Sequence, residues 1–228
     1  MAVTGESGAG KTTLLGILGL LTMPDSGTYL LDGMDVVSSQ MVINKIKQQE
    51  MTGDSRLRGN DVEEANSPFE GGRGMLSLAP RNNAATIRNR KIGFMFQEHR
   101  LLPQFTVIQN ILLPTLANQK ISTPEQIQYV DYLMDMTEIT GLANRLPAEI
   151  SGGEASRAAL CRALIMKPLL LLADEPTGQL DSRNARNTVA LLKKVNRELG
   201  TTVVLVSHSH ETTAEAERIL TLKDGIIT

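Results

Sequence analysis

The pattern that most limits what this 228-residue chain can become lies near its start: Gly5-Glu6-Ser7-Gly8-Ala9-Gly10-Lys11-Thr12 fits G-x-x-x-x-G-K-[ST] and runs into the helically spaced apolar positions Leu14, Leu15, Ile17 and Leu18. Glycines let successive backbone N–H groups turn toward one anion, and a helix N-terminus adds partial positive charge. Lys11 can reach the outer phosphates, Thr12 can offer its hydroxyl to Mg2+, and Thr13 follows on the same first turn. The segment is a cradle for a triphosphate. A plain Gly-rich turn is the competing account, but at average residue usage the full pattern arises by chance in such a chain on the order of once in a hundred.

A second signal is the run Leu169-Leu170-Leu171-Leu172-Ala173-Asp174-Glu175, an apolar strand that delivers two acids at its C-terminal end. Ligands of open parallel sheets bind at that edge, so Asp174 is assigned to the metal shell and Glu175 to orienting and deprotonating water. Alone, such a pair more often caps the next helix; downstream of a phosphate loop the catalytic account prevails. The third signal, Ser151-Gly152-Gly153-Glu154, is a capping box by its S-x-x-E spacing and also a helix N-terminus with two glycines, a second anion site. One triphosphate does not need two cradles, so the excess predicts a dimer in which each chain completes the other's site.

The surrounding sequence alternates short Ile-, Val- and Leu-rich runs with helical patterns, as expected for a mostly parallel sheet covered on both faces. Candidate strands are 92–96, 169–173, 203–206 and 219–222. Ala185, Val189, Leu192, Val195 and Leu199 keep helical spacing up to a stop at Gly200. Thr123, Pro124 and Gln126 read as a cap, a first-turn proline and a capping-box partner, with Ile127, Val130, Leu133 and Met134 on one face. Between 41 and 83 Gly, Asn, Ser, Pro and charged residues dominate and no period persists, so this stretch is expected to be a disordered insertion.

Composition narrows the function classes. With 23 Lys and Arg interspersed among 25 Asp and Glu, for a formal charge of -2, the chain has no basic footprint for nucleic acid or anionic lipid. The single Cys161 cannot form an internal disulfide and is expected as a small apolar residue on a helix. No apolar run approaches the roughly eighteen residues of a membrane span, so a membrane role has to come through a partner chain.

By these motifs and their order, the chain resembles the nucleotide-binding domain of ABC transporters. Ile150-Ser151-Gly152-Gly153-Glu154 is similar to the family signature, with Ile for Leu and Glu for Gln; Gln97, after Ile92-Gly93-Phe94-Met95-Phe96, falls on the glutamine loop; Gly178-Gln179-Leu180-Asp181 on the D-loop; and His208, after Val204-Leu205-Val206-Ser207, on the switch histidine. The stretches from Arg88 to Phe94, Leu101-Leu102-Pro103, and Ala173 to Gly178 resemble the branch with lipoprotein-releasing, macrolide-efflux and cell-division ATPases.

The resemblance implies an α/β P-loop NTPase with a mostly parallel sheet core and an inserted helical subdomain, the family's N-terminal strands missing. It is one ABC ATPase domain over 1–228, with core segments 1–97 and 167–228 and helical subdomain 98–166. It further implies ATP bound with Mg2+ by Gly5, Glu6, Ser7, Gly8, Ala9, Gly10, Lys11, Thr12 and Thr13, and by Ser151, Gly152, Gly153 and Asp181. Mg2+ would be held near Thr12, Gln97 and Asp174, and hydrolysis carried by Glu175, His208, Gln97 and Lys11. The implied partners are a transmembrane permease and a second ATPase domain, in a homodimer or pseudo-dimer, with no nucleic acid. The implied place is the cytoplasm, on the inner face of the cell membrane. His99 and His210 are expected to be structural or exposed. Because no aromatic precedes the phosphate loop, adenine stacking is expected to be weak, Phe69 being the one candidate substitute.

Two other classes compete. A soluble ABC ATPase acting on DNA or ribosomes would show a coiled-coil insertion, zinc-ligand cysteines or a second cassette, and none is in the sequence. A truncated or degenerate domain that binds nucleotide with little turnover is opposed by the intact Lys11, Asp174, Glu175 and His208, and favoured by the missing strands.

Overall fold

The computed structural model describes residues 1–37, 84–117, 123–178 and 180–228, with the side chains of His210 and Glu211 excepted. The expected insertion at 41–83, Phe69 within it, and Gln179 lie outside the described residues. The chain divides into two compact units, one of Met1–Met23 with Ile87–Thr228 and one of Pro24–Thr86.

The described strands are β1 (Ala2–Thr4), β2 (Leu30–Leu31), β3 (Met34–Asp35), β4 (Ile92–Met95), β5 (Leu170–Asp174), β6 (Thr202–Val206), β7 (Ile219–Lys223) and β8 (Ile226–Ile227). In the smaller unit β2 and β3 pair antiparallel across Asp32-Gly33, with φ 55° and 74°, the backbone that a two-residue hairpin turn requires. In the larger unit six strands lie in the order β4-β5-β6-β1-β7-β8, all parallel except β8, which returns beside β7. Strands covered on both faces have to be apolar throughout, and Leu170, Leu171, Leu172 and Ala173 of β5 and Val203 to Val206 of β6 are buried.

The expected strands shift by about a residue at their ends. Leu169 drops out of β5, 43% exposed and bonded through its N–H to the Lys91 carbonyl, while Asp174 joins it by pairing with Val206. β1 has no counterpart among the strands expected from sequence: three residues are too few to show a period, and only pairing with β6 and β7 makes them a strand.

The helices are α1 (Lys11–Leu18), α2 (Ala84–Lys91), α3 (Val107–Leu112), α4 (Pro124–Met136), α5 (Gly152–Leu164), α6 (Ser182–Leu199) and α7 (His210–Ala214). Both capping boxes expected from sequence form: Thr123 with Gln126 opens α4, and Ser151 with Glu154 opens α5. Helix α6 ends at Gly200 in the left-handed region. Helices α3, α4 and α5 make the helical lobe, whose buried Ile111, Val130, Leu133, Met134 and Leu160 join one core with Leu171 and Ala173 of the sheet. Ile127, expected on the buried face of α4, is instead 46% exposed, since that face is covered only from Val130 onward. Cys161 is fully buried on α5 as expected, 3.1 Å from the Thr137 hydroxyl. Buried Asn110 of α3 ties the preceding loop down, accepting from Leu102 N and donating to the carbonyls of Leu102, Phe105 and Thr106. Among the described residues no helix is long and apolar enough to cross a membrane.

Candidate nucleotide-hydrolysis site

Parallel strands bring their C-terminal ends to one edge, and here the register sets Val3 and Asp174 both opposite Val206. The loops leaving β1, β5 and β6 therefore open side by side. They carry, respectively, the phosphate loop, the acid pair and His208.

The phosphate loop is tight because it is wedged against β7. A Cβ on Gly5 would stand 2.2 Å from the Leu222 carbonyl oxygen, and the Gly225 N–H donates to the Ala9 carbonyl at 3.1 Å. Gly10 turns into α1 with φ 100°, a conformation open to glycine at little cost, and no side chain caps that helix start. By contrast Thr106, Thr123, Ser151 and Asp181 cap α3, α4, α5 and α6. An uncapped N-terminus keeps donors for an anion. Lys11 is 7% exposed, and its Nζ donates to the carbonyls of Gly5 and Glu6 at 2.8 and 2.7 Å, which centres its charge in the loop. Ser7, Gly8, Thr12 and Thr13 are exposed around it, with Glu6.

Asp174 ends β5 half-buried. Glu175, next along, has φ 45°, a left-handed backbone that a non-glycine residue adopts only under constraint. The constraint is visible: its N–H donates to the Val206 carbonyl, and its carbonyl accepts from Gly178 N. Its Oε2 accepts from the Ser207 hydroxyl at 3.3 Å and from His208 N at 3.4 Å. Its Oε1 is buried, accepts no hydrogen bond from the described residues, and stands 3.4 Å from His208 Nε2. Gln97 follows β4 on an exposed turn, with its amide nitrogen 3.2 Å from where a Gly178 Cβ would be. The structure thus draws residues 5–13, Asp174, Glu175, Gln97 and His208 toward one sheet edge.

Ser151, Gly152 and Gly153 stand apart at the start of α5. Ser151 N and Oγ each donate to Glu154 Oε2 at 2.7 Å, and these bonds hold the Glu154 carboxyl below the usual carboxylate range. Asp181 is the N-cap of α6, accepting from the N–H groups of Arg183 and Asn184 and from the Asn184 side chain. Those bonds, led by that of Asn184 N, lower its pKa. Gly153 packs on Asn184, whose Oδ1 would lie 3.0 Å from a Cβ placed on that glycine, so the 151–153 turn and the start of α6 share one surface.

Sequence reasoning leaves His99 without a role, yet it is central to the loop after Gln97. Among the described residues its buried Nδ1 has no hydrogen-bond partner, and burial, then neighbouring Arg162, push its pKa down. No spacing pattern announces a histidine whose carbonyl is held by an arginine 63 residues along the chain.

A phosphate loop between strand and helix, with an acid pair on a neighbouring parallel strand, defines a P-loop nucleoside-triphosphate hydrolase. Residues 1–178 match the ABC transporter family, and the chain belongs to it. The chain is 38% identical to a lipoprotein-releasing system ATP-binding protein of Shewanella frigidimarina, across 100% of this chain and 78% of that protein. It is 36% identical to a macrolide export ATP-binding/permease protein of Rhodopirellula baltica, across 100% of this chain but 28% of that one. The solved ATP-binding cassette MJ0796, a dimer in a post-hydrolysis state bound to ADP and Pi, superposes with a TM-score of 0.70 at 32% identity, covering 99% of this chain and 82% of that one. The chain is accordingly an ATP-binding, ATP-hydrolysing subunit of a membrane ABC complex.

Proposed function

We propose that two copies of this cassette, or one copy and a homologous domain, close head to tail on two MgATP. The phosphate loop of one would face Ser151, Gly152 and Gly153 of the other, with Asp181 at the seam. Two glycine-bearing helix starts on one chain, α1 and α5, support this, as does the dimeric state of MJ0796. The observation that carries the hydrolytic assignment is Glu175 itself: one carboxylate oxygen is anchored by Ser207 and His208 while the other is buried and accepts no hydrogen bond from the described residues. An acceptor held in that way is placed to take a proton from water.

The remaining roles follow from position. Lys11 exchanges the carbonyls of Gly5 and Glu6 for phosphate oxygens, and His208 contacts the terminal phosphate from beside Glu175. Gln97 borders the same space and relays its occupancy to the helical lobe. Among the described residues no three His, Cys, Asp or Glu side chains are grouped to hold a metal alone, but Mg2+ is commonly held by one or two protein oxygens plus phosphates. Thr12 and Asp174 supply such oxygens, with Gln97 nearby, and the packing of α1 on β5 keeps the two elements together. When bound, Mg2+ neutralises charge on the phosphates.

Closure on ATP and opening after hydrolysis would then move a transmembrane permease, with the cassette on the inner face of the cell membrane. Relatives named for lipoprotein release align over most of their length, 78% and 85% in two cases, whereas the macrolide exporter is mostly other sequence. We take lipoprotein release as the better-supported task. The test of the site is Glu175→Gln, whose amide keeps size but cannot take the proton. Turnover should fall by about a hundred-fold to ten-thousand-fold while ATP binding persists. Parental turnover in a folded variant would overturn the assignment.

A further inference from the structure

One side chain outside the assigned machinery bridges the loop after Gln97 to α5. Arg162, in the last turn of that helix, donates from Nη1 to the Arg100 carbonyl at 2.6 Å and from Nη2 to the His99 carbonyl. Those two carbonyls point to one guanidinium because His99 and Arg100 both take left-handed backbone, with φ 54° and 48°. Two consecutive non-glycine residues in that region are costly and persist only where surroundings impose them. Among the described residues no carboxylate pairs with Arg162, so its half-buried charge is met by these backbone oxygens. The Arg100 side chain closes the turn over the Phe96 ring, 4.4 Å from its centroid, and Phe96 stacks on Phe94 of β4.

We propose that Arg162 is a positioning residue that splints the Gln97 loop to α5, the helix that the 151–153 turn opens, so that loop and turn move as one piece when the site closes. A guanidinium with two parallel donors fixes orientation as well as distance, which a single-point contact does not. The splint rests on the proposed roles of Gln97 and of Ser151 to Gly153. Its purpose is alignment: the turn offered to a second chain's nucleotide would be set by the same loop that borders the chain's own.

The test uses the full chain with Arg162→Met, which keeps the apolar stem and removes the fork, and with Arg162→Gln, which stays polar but is too short to span the two carbonyls. ATP affinity, set by the phosphate loop, should stay at the parental value in both, while kcat falls by about ten-fold to a hundred-fold, the scale of a misplacement of roughly an ångström. Amide hydrogen exchange should quicken by about ten-fold in 97–101 and in 151–155 together, and remain parental in α6 and β6. Arg162→Lys, with one donor point, should recover only part of the lost kcat. Parental kcat and exchange in folded variants would overturn the splint, as would exchange that quickens evenly over the molecule. Should Arg162→Met not fold, Arg162→Gln decides by the same two readouts. Glu175→Gln run alongside separates the outcomes: if it retains turnover the site assignment has failed, and the exchange pattern still tells whether the splint exists.

Discussion

Cys161 shows how far one residue's chemistry follows from its surroundings. Burial pushes its thiol from an ordinary 9.0 to about 12, against a smaller opposing effect of the Thr137 hydrogen bond. Because the folded pKa is the higher one, the fold favours the neutral thiol. That stability is complete below the unfolded pKa and is lost as pH rises toward the folded value. Near pH 10, about one to one and a half units above the unfolded pKa, the loss should be about 1 to 2 kcal/mol. Chemical denaturation at pH 7.5 and pH 10 should show a larger decrement in the parent than in Cys161→Ala, where the raised Tyr29 and Tyr129 still titrate. Thiol-directed reagents at pH 8 should label Cys161 only as fast as the molecule opens.

At the scale of elements, the sheet and the helical lobe meet with almost no free space between β4 and α5. A Cβ on Gly93 would lie 2.4 Å from the Ala163 carbonyl oxygen, a backbone atom that cannot rotate away. Gly93→Ala should therefore force the strand and helix apart and lower stability by about 1 to 3 kcal/mol, read from urea unfolding midpoints. The contact matters for function because β4 leads to Gln97 and α5 begins at the 151–153 turn. If Gly93→Ala unfolds at the parental midpoint, strand and helix have room to part and do not hold these two segments in register.

For the molecule as a whole, the proposed two-chain site predicts concentration dependence. Phosphate loop and Glu175 lie toward one sheet edge, while the 151–153 turn opens α5 with the Ser151 donors committed to Glu154. Specific ATPase activity should rise with protein concentration and then level off as pairs form. Measured over a dilution series alongside the sedimentation mass, activity independent of dilution in a protein that stays monomeric would refute a two-chain site.

Glycine, lysine and threonine between 5 and 12, the acids at 174 and 175, and the caps at 123 and 151 can all be read without coordinates, because phosphate cradles, strand ends and helix starts depend on local backbone geometry and neighbouring residue types. The alternation of apolar runs likewise implies a parallel sheet. What local sequence cannot supply is anything whose cause lies far along the chain. Ala2, Val3 and Thr4 become a strand only between β6 and β7, at the opposite end of the sequence. Ile127 has the right spacing to be buried but no neighbour to cover it. The left-handed turn at His99 and Arg100 finds its partner in Arg162, 63 and 62 residues away, which gathers their carbonyls. Hydrogen bonds to backbone atoms leave no residue-type signature at the acceptor, so only the tertiary structure decides which loop a buried guanidinium holds.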